Sequence, residues 1–252
     1  MSSAARAPKY DRIGTSYART RTADPRIEAA IHAALGDARR VVNVGAGTGS
    51  YEPRDRLVVA VEPSQTMIDQ RAPDAAPAVR AVAEAVPLRD GAFDAAMGVL
   101  TMHHWRDLAA GLAEMRRVAD RLVLFFFEPK FADVAWIVAD YFPEILEQES
   151  ERNAPSTADL ARHIEILSID PVPVPDDCID GFAGCYWNRP EMYLDPSVQE
   201  GMSCFAQMPA DMLARGMERL RAEIASGAWD AKYGHLRALG ECDLGYRLVV
   251  GR

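Results

Sequence analysis

Residues 41–50, Val41-Val42-Asn43-Val44-Gly45-Ala46-Gly47-Thr48-Gly49-Ser50, carry the most information in this chain. The run opens as a short apolar strand broken by a single Asn. It then enters a turn with Gly at every second position. Glycine tolerates positive φ and lets a ligand approach the backbone closely. In an open α/β sheet such ligands sit beyond the carboxyl ends of the strands, near the point where strand order reverses. The next apolar run, LVVAVE (57–62), reads as a second buried strand and ends on Glu62, 17 positions after Gly45. A carboxylate there can accept both hydroxyls of a ribose, so strand, turn and acid together fit an adenosine-containing cofactor.

Two cofactor classes remain at that point. A dinucleotide fingerprint reads GxGxxG and opens a helix whose N-terminus holds the pyrophosphate. Here the third Gly comes one residue early, at Gly49, and Ser50 takes its place. Only residues 50–56, with Pro53 among them, separate the turn from the second strand. This is shorter than the roughly 10–12 residues of a helical crossover, so one helical turn or an irregular loop is expected. A cofactor without phosphates fits better. An NAD-linked oxidoreductase on the same type of sheet is the alternative.

Further along, FDAAMGVL (93–100) and RLVLFFF (121–127) read as buried strands, and residues 107–118 as an amphipathic helix through Leu108, Leu112, Met115 and Val118. Strands that are apolar throughout and alternate with helices indicate a parallel sheet covered on both faces. Upstream, Asp24 caps a helix begun by Pro25, with Ile27, Ile31 and Leu35 on one face and Gly36 at its end. Ser64 is placed to cap another helix over 63–71. Residues 131–148 read as helical up to about Pro143, 158–164 as helical, and 165–169 as a strand. The stretch DPVPVPDD (170–177) breaks regular structure. Short helical pieces rich in Trp, Tyr and Met fill 178–240, and LGYRLVV (244–250) is a last strand. Two strands so far apart suggest a sheet edge with a helical insertion between them.

Composition excludes several classes. Of 252 residues, 49% are apolar and 26% charged, the balance of a soluble globular protein. Lys and Arg number 28 against 37 Asp and Glu, a net charge of −9, which argues against a nucleic-acid partner. No run approaches the roughly 18 apolar residues of a membrane span, and the start, MSSAARAPKYDR, has no apolar signal region. The four cysteines Cys178, Cys185, Cys204 and Cys242 form no CxxC pair and read as reduced thiols of a cytoplasmic protein. No metal site is expected; a thiol-based metalloid transfer is a minor alternative.

Four stretches, VNVGAGTG (42–49), VAVEPSQTMI (59–68), AEAVPLRDGAFD (83–94) and VLTMHHW (99–105), together resemble the class I S-adenosylmethionine (SAM) methyltransferases of the small-molecule "methyltransferase type 11" kind. The resemblance covers roughly residues 10–130. It implies a Rossmann-like, seven-stranded, mostly parallel sheet with a helical lid inserted before the last strand, over about 170–240, all within one domain spanning 1–252. It implies SAM as cofactor and a small-molecule acceptor. Gly45, Ala46, Gly47, Thr48 and Gly49 would pass under the methionine and ribose, and Glu62 would bind the ribose hydroxyls. Pro63, Ser64 and Met67 would border the adenine, with Ala83 and Glu84 on its other edge and Leu100 by the methionine. Segment 1–24 would cover the cofactor through Tyr17 and Arg21, the latter pairing with the SAM carboxylate. Two positions depart from the family pattern. Asn43 stands where an acid is usual, able to hydrogen-bond but adding no charge, and Val82 stands where Asp is common. These departures keep a non-catalytic SAM-binding module as an alternative.

Methyl transfer needs a base only when the acceptor holds its proton at working pH. His103 and His104 follow the fourth strand, where a group with a pKa near 6.5 suits proton removal. Adjacent residues face different ways, so one of them at most serves as base. Trp105 is a candidate for lining the acceptor pocket. Within the insertion, Tyr186, Trp187 and Arg189 mix aromatic and polar character and are the candidate acceptor contacts. Arg189 could meet an acidic acceptor or bridge to Glu191 or Asp195.

Overall fold

The computed structural model describes residues 21–252. Its strands are β1 (Arg40–Val44), β2 (Leu57–Val61), β3 (Ala78–Val79), β4 (Phe93–Val99), β5 (Ala119–Phe127), β6 (Ile166–Pro171), β7 (Val174–Pro175), β8 (Glu241–Cys242) and β9 (Tyr246–Gly251). Seven of them form one sheet in the order β3-β2-β1-β4-β5-β9-β6. Strands β1 to β5 are mutually parallel, and β9 runs antiparallel to both of its neighbours, β5 and β6. Between β6 and β9 the chain makes a separate two-stranded ribbon of β7 with β8.

Side chains on successive residues of a strand face opposite ways, and both faces here are covered. Val41, Val123 and Phe125 turn to one side and pack with Ile27, Ile31 and Leu35 of helix α1 (Pro25–Ala34) and its C-cap. Val42, Val44, Leu122, Leu124 and Phe126 turn to the other. There they meet Leu112, Met115 and Val118 of the crossover helix between β4 and β5. The caps are those expected: Asp24 accepts from the backbone N–H of Arg26 at 3.0 Å, and Ser64 caps α2 (Gln65–Asp69). Asp107 caps the crossover helix, α3 (Leu108–Val118), by accepting from Ala110 N–H at 3.0 Å. Between β1 and β2 there is no helix, only turns, as the short spacing requires.

The connection after β5 departs from the expected single helix. A 3₁₀ turn (Pro129–Val134), a π turn (Ile137–Tyr141) and a second 3₁₀ turn (Pro143–Glu147) replace it. Pro143 cannot donate to a helical ladder and disfavours helical backbone at Phe142. The wide turn also sets Trp136 and Tyr141 edge-to-face, centroids 5.7 Å apart. Two single-turn helices follow, α4 (Glu149–Arg152) and α5 (Thr157–Leu160), the second opened by a capping box between Ser156 and Asp159. The stretch between β6 and β9 carries α6 (Pro196–Gly201), α7 (Ser203–Ala206), α8 (Ala210–Ser226) and α9 (Ala228–Tyr233). They share a third apolar cluster with the 136–145 turns, built on Trp136, Phe142, Tyr193, Phe205, Leu220 and Trp229.

Candidate functional site

Strand order reverses between β1 and β4, and a cavity of about 460 Å³ opens there at the carboxyl ends of the strands. That size suits a small-molecule site. Its floor is the glycine turn. Gly45, Gly47 and Gly49 have φ of +72°, +53° and +95°. Gly45 and Ala46 donate their N–H groups to Val61 O at 2.8 and 3.1 Å, which seats the turn on β2. Gly45, Ala46, Gly47 and Thr48 line the cavity. Gly49 does not. It lies behind the turn, where an added Cβ would come within 3.1 Å of Arg71 and Glu52.

Glu62 forms the far wall and is 5% exposed. Its Oε2 accepts from Gly47 N–H and its Oε1 from Ser64 N–H, both at 2.8 Å. A carboxylate offers about four acceptor sites, and these two bonds fix its plane toward the turn. Pro63, Ser64, Met67, Ala83 and Glu84 continue the wall. Glu84 also anchors the start of α3, where its Oε1 accepts from Arg106 and Asp107 N–H at 2.6 and 3.1 Å. Asn43, 1% exposed, lines the cavity as well. Its Nδ2 donates to Glu52 Oε1 at 3.0 Å, and its buried Oδ1 has no partner among the described residues.

At the β4 end, Leu100 holds φ of +49°, a backbone state uncommon outside glycine. His103 and His104 sit in a 3₁₀ turn (Met102–His104), ring centroids 3.9 Å apart. A second cavity, of about 130 Å³, lies beyond. Its walls are mostly apolar, with Phe126, Phe127, Ile137, Val138, Phe182 and Met202 among them. Arg21, Leu100 and His103 line both cavities. His104 and Trp105 line the first only, and Trp105 packs its indole against Gly111 of α3, where an added Cβ would lie 2.5 Å from Cε3.

Several expected roles change. The Arg21 guanidinium is held by Asp180, with Nε to Oδ1 at 2.5 Å and Nη2 to Oδ2 at 3.0 Å. Tyr186, Trp187 and Arg189 line neither cavity. Trp187 is a core residue that donates to Val174 O at 3.0 Å. Arg189 lies over the Tyr186 ring and donates to the carbonyls of Cys178 and Cys185. These aromatics are consumed by packing the insertion onto the sheet. Tyr17 lies outside the described residues. Among the described residues no group of three or more His, Cys, Asp or Glu could hold a metal, and no helix is long and apolar enough to cross a membrane.

The sequence reading missed Thr101, wedged under Gly45, and the pair Glu52 and Arg71 behind the turn. It also missed Tyr51 and Asp180, whose hydroxyl and carboxylate meet at 2.7 Å. Opposite charges in a stretch as short as 50–56 were a signal; the partner across 129 positions was not.

A family model described as a methyltransferase domain matches residues 42–127. No curated protein gives a significant match. Among solved structures, a protein of Anabaena variabilis ATCC 29413 is described as a methyltransferase from an antibiotic biosynthesis pathway. It is 32% identical with a TM-score of 0.82, the match covering 92% of this chain and 99% of that one. The YcgJ protein of Bacillus subtilis shares the fold at 17% identity and a TM-score of 0.54, over 90% of this chain and 97% of its own. Geranyl diphosphate C-methyltransferase of Streptomyces coelicolor A3(2), solved with Mg²⁺, geranyl diphosphate and S-adenosyl-L-homocysteine, shares it at 15% and 0.51, over 90% and 77%.

Proposed function

Since the chain belongs to the SAM-dependent methyltransferases, we propose that it methylates a small, largely apolar organic acceptor held in the second cavity, with His103 as the proton-accepting group. The observation that carries this reading is the common wall: Arg21, Leu100 and His103 border both chambers. An acceptor in one chamber and a cofactor in the other then meet beside His103.

SAM, when bound, supplies an electrophilic methyl on a sulfonium. Glu62, locked by two backbone N–H groups, would accept the ribose hydroxyls. The glycine turn, free of Cβ atoms at Gly45 and Gly47, would let the nucleoside lie against the backbone. Pro63, Ser64, Met67 and Ala83 would border the base. The apolar walls of the second cavity would exclude water and orient the acceptor. A ring nitrogen of His103 would take the proton of a hydroxyl or amine acceptor that is protonated at working pH. The insertion between β6 and β9 acts as cover in this reading, because Phe182 and Met202 come from it. The free thiols of Cys178, Cys185, Cys204 and Cys242 fit a cytoplasmic location.

The test is release of S-adenosylhomocysteine from SAM in the presence of phenols, aromatic amines and aromatic carboxylates of one-ring size. Turnover with at least one apolar ring-bearing class is expected. Tight binding of S-adenosylhomocysteine with no turnover across the panel counts against the acceptor reading.

A further inference from the structure

The second cavity is apolar along most of its wall and carries a phenol at one corner. Gly184, Leu244 and Tyr246 meet there, and all three line the cavity. A Cβ added at Gly184 would lie 3.0 Å from Leu244 Cδ1 and 3.2 Å from the Tyr246 hydroxyl oxygen. The absent side chain of Gly184 thus leaves room beside that hydroxyl. The Tyr246 ring is held in place by Phe125, Phe127 and Phe182, with centroids 5.8, 5.6 and 4.7 Å away. Its carbonyl accepts from Val172 N–H at 3.0 Å, which anchors the start of β9.

Burial raises the phenol well above its usual pKa, and the Gly184 N–H, which faces the oxygen, offsets this in part. The hydroxyl therefore keeps its proton. A phenol both donates and accepts, and with an N–H set against the oxygen the proton is what it has to give. In apolar surroundings an unpaired donor costs about 1–3 kcal/mol. A ligand that brings an acceptor atom to this corner removes that cost.

The sheet fixes which part of a ligand meets it. Tyr246 pairs in register with Phe127 of β5, and Phe125 pairs with Val99 of β4. Tyr246 thus stands at the same end of the sheet as Leu100 and His103, two strands across. Two strand spacings amount to about 10 Å, so His103 and Tyr246 address different atoms of one ligand.

We propose that Tyr246 is a specificity-determining residue for the acceptor: its hydroxyl donates to a neutral carbonyl oxygen remote from the atom that is methylated. The acceptor class is then a ring that carries a hydroxyl or amine and, across from it, an aldehyde, ketone or amide carbonyl. The proposal rests on the second cavity being the acceptor site. Charge selects a neutral oxygen over a carboxylate. The Arg21 guanidinium on this wall is engaged by the fully buried Asp180. Glu151 is on the wall too, and its charge is felt at the Tyr246 hydroxyl, so an anionic group there meets a like charge.

Calorimetric titration of the full chain, saturated with S-adenosylhomocysteine, tests this with para-hydroxybenzaldehyde, para-cresol, phenol and para-hydroxybenzoate. The wild type is expected to bind the aldehyde about tenfold more tightly than para-cresol, which has a similar outline without the oxygen. Tyr246→Phe keeps the ring and removes the donor. It should bring that ratio to within about twofold and leave para-cresol within about twofold of the wild type. Gly184→Ala crowds the corner. It should weaken the aldehyde about threefold or more and spare phenol, which has no substituent to place there. A wild type without preference for the aldehyde, or a preference that survives Tyr246→Phe, overturns the proposal. So does para-hydroxybenzoate binding more tightly than the aldehyde. If Tyr246→Phe does not fold, the Gly184→Ala comparison decides alone. A wild type that binds S-adenosylhomocysteine and none of the four probes removes the acceptor reading of the cavity, and the proposal with it. Failure to bind S-adenosylhomocysteine is a different result and removes the cofactor reading.

Discussion

A Cβ added at Gly45 would lie 1.9 Å from Oγ1 and 2.8 Å from Cβ of Thr101, on backbone with φ of +72°. Both the threonine and the strained φ oppose any side chain there. Gly45→Ala should therefore lower stability by about 1–3 kcal/mol and weaken S-adenosylhomocysteine, read by thermal unfolding and calorimetry. His103 and His104 make a sharper comparison, since only His103 borders both chambers. For an acceptor that holds its proton, His103→Ala should cut kcat about 100-fold or more while leaving S-adenosylhomocysteine affinity within about twofold. His104→Ala should cost less, and the reverse ranking would unseat His103. Residues of this kind were legible in the sequence because the turn and its acid are local signals. Asn43, residues 45–48, Glu62 and Met67 line the first cavity. Tyr186 and Trp187 are harder to place from sequence, because an aromatic residue reads the same in a core as in a pocket wall.

Asp94 joins two central strands of the sheet at its entry edge. It precedes the buried part of β4 and accepts from the backbone N–H groups of Arg39 and Arg40 at 2.9 and 2.8 Å, while its other oxygen meets the Arg40 guanidinium at 2.6 Å. The Arg40 guanidinium first, and then these backbone donors, pull its carboxyl down to about 2. A depressed carboxyl contributes stability above its unfolded value near 4 and loses it as pH falls through its folded value. The difference in melting temperature between wild type and Asp94→Asn should thus stay constant above about pH 5 and shrink toward zero as the pH drops through about 2. A difference that grows on acidification would contradict this. The elements themselves were largely readable: all five parallel strands except the two-residue β3, the three capped helices α1, α2 and α3, and the helix-free crossover after β1 follow from apolar runs, cap residues and spacing. The 129–147 turns were not, because their pitch answers to where Trp136, Tyr141 and Phe142 must point, and that is set by partners such as Gly216 far along the chain.

Three distant parts of the chain converge on one fully buried carboxylate. Asp180, from the insertion, receives Arg21 in a two-pronged pair and the hydroxyl of Tyr51, from the crossover after β1, at 2.7 Å. Burial first, and then the Asp180 charge, push the Tyr51 phenol well above its usual pKa, so it stays a donor. Removing one partner of such a group strands the others, at about 3–5 kcal/mol. Asp180→Ala should lower the denaturant midpoint accordingly, and a loss under about 1 kcal/mol would show that the pair is dispensable. Nothing local in the sequence announces this junction, because its members meet only after the sheet and the insertion have both formed. Strand β6 has one neighbour in the sheet, β9, and β9 fills the slot between β5 and β6. On a growing polypeptide β6 emerges early yet must wait for β9, with the whole insertion synthesised in between. Such distant pairing is slow to form. In refolding followed by pulsed hydrogen exchange, the amides of β6 should gain protection together with those of β9, and later than those of β1 and β4.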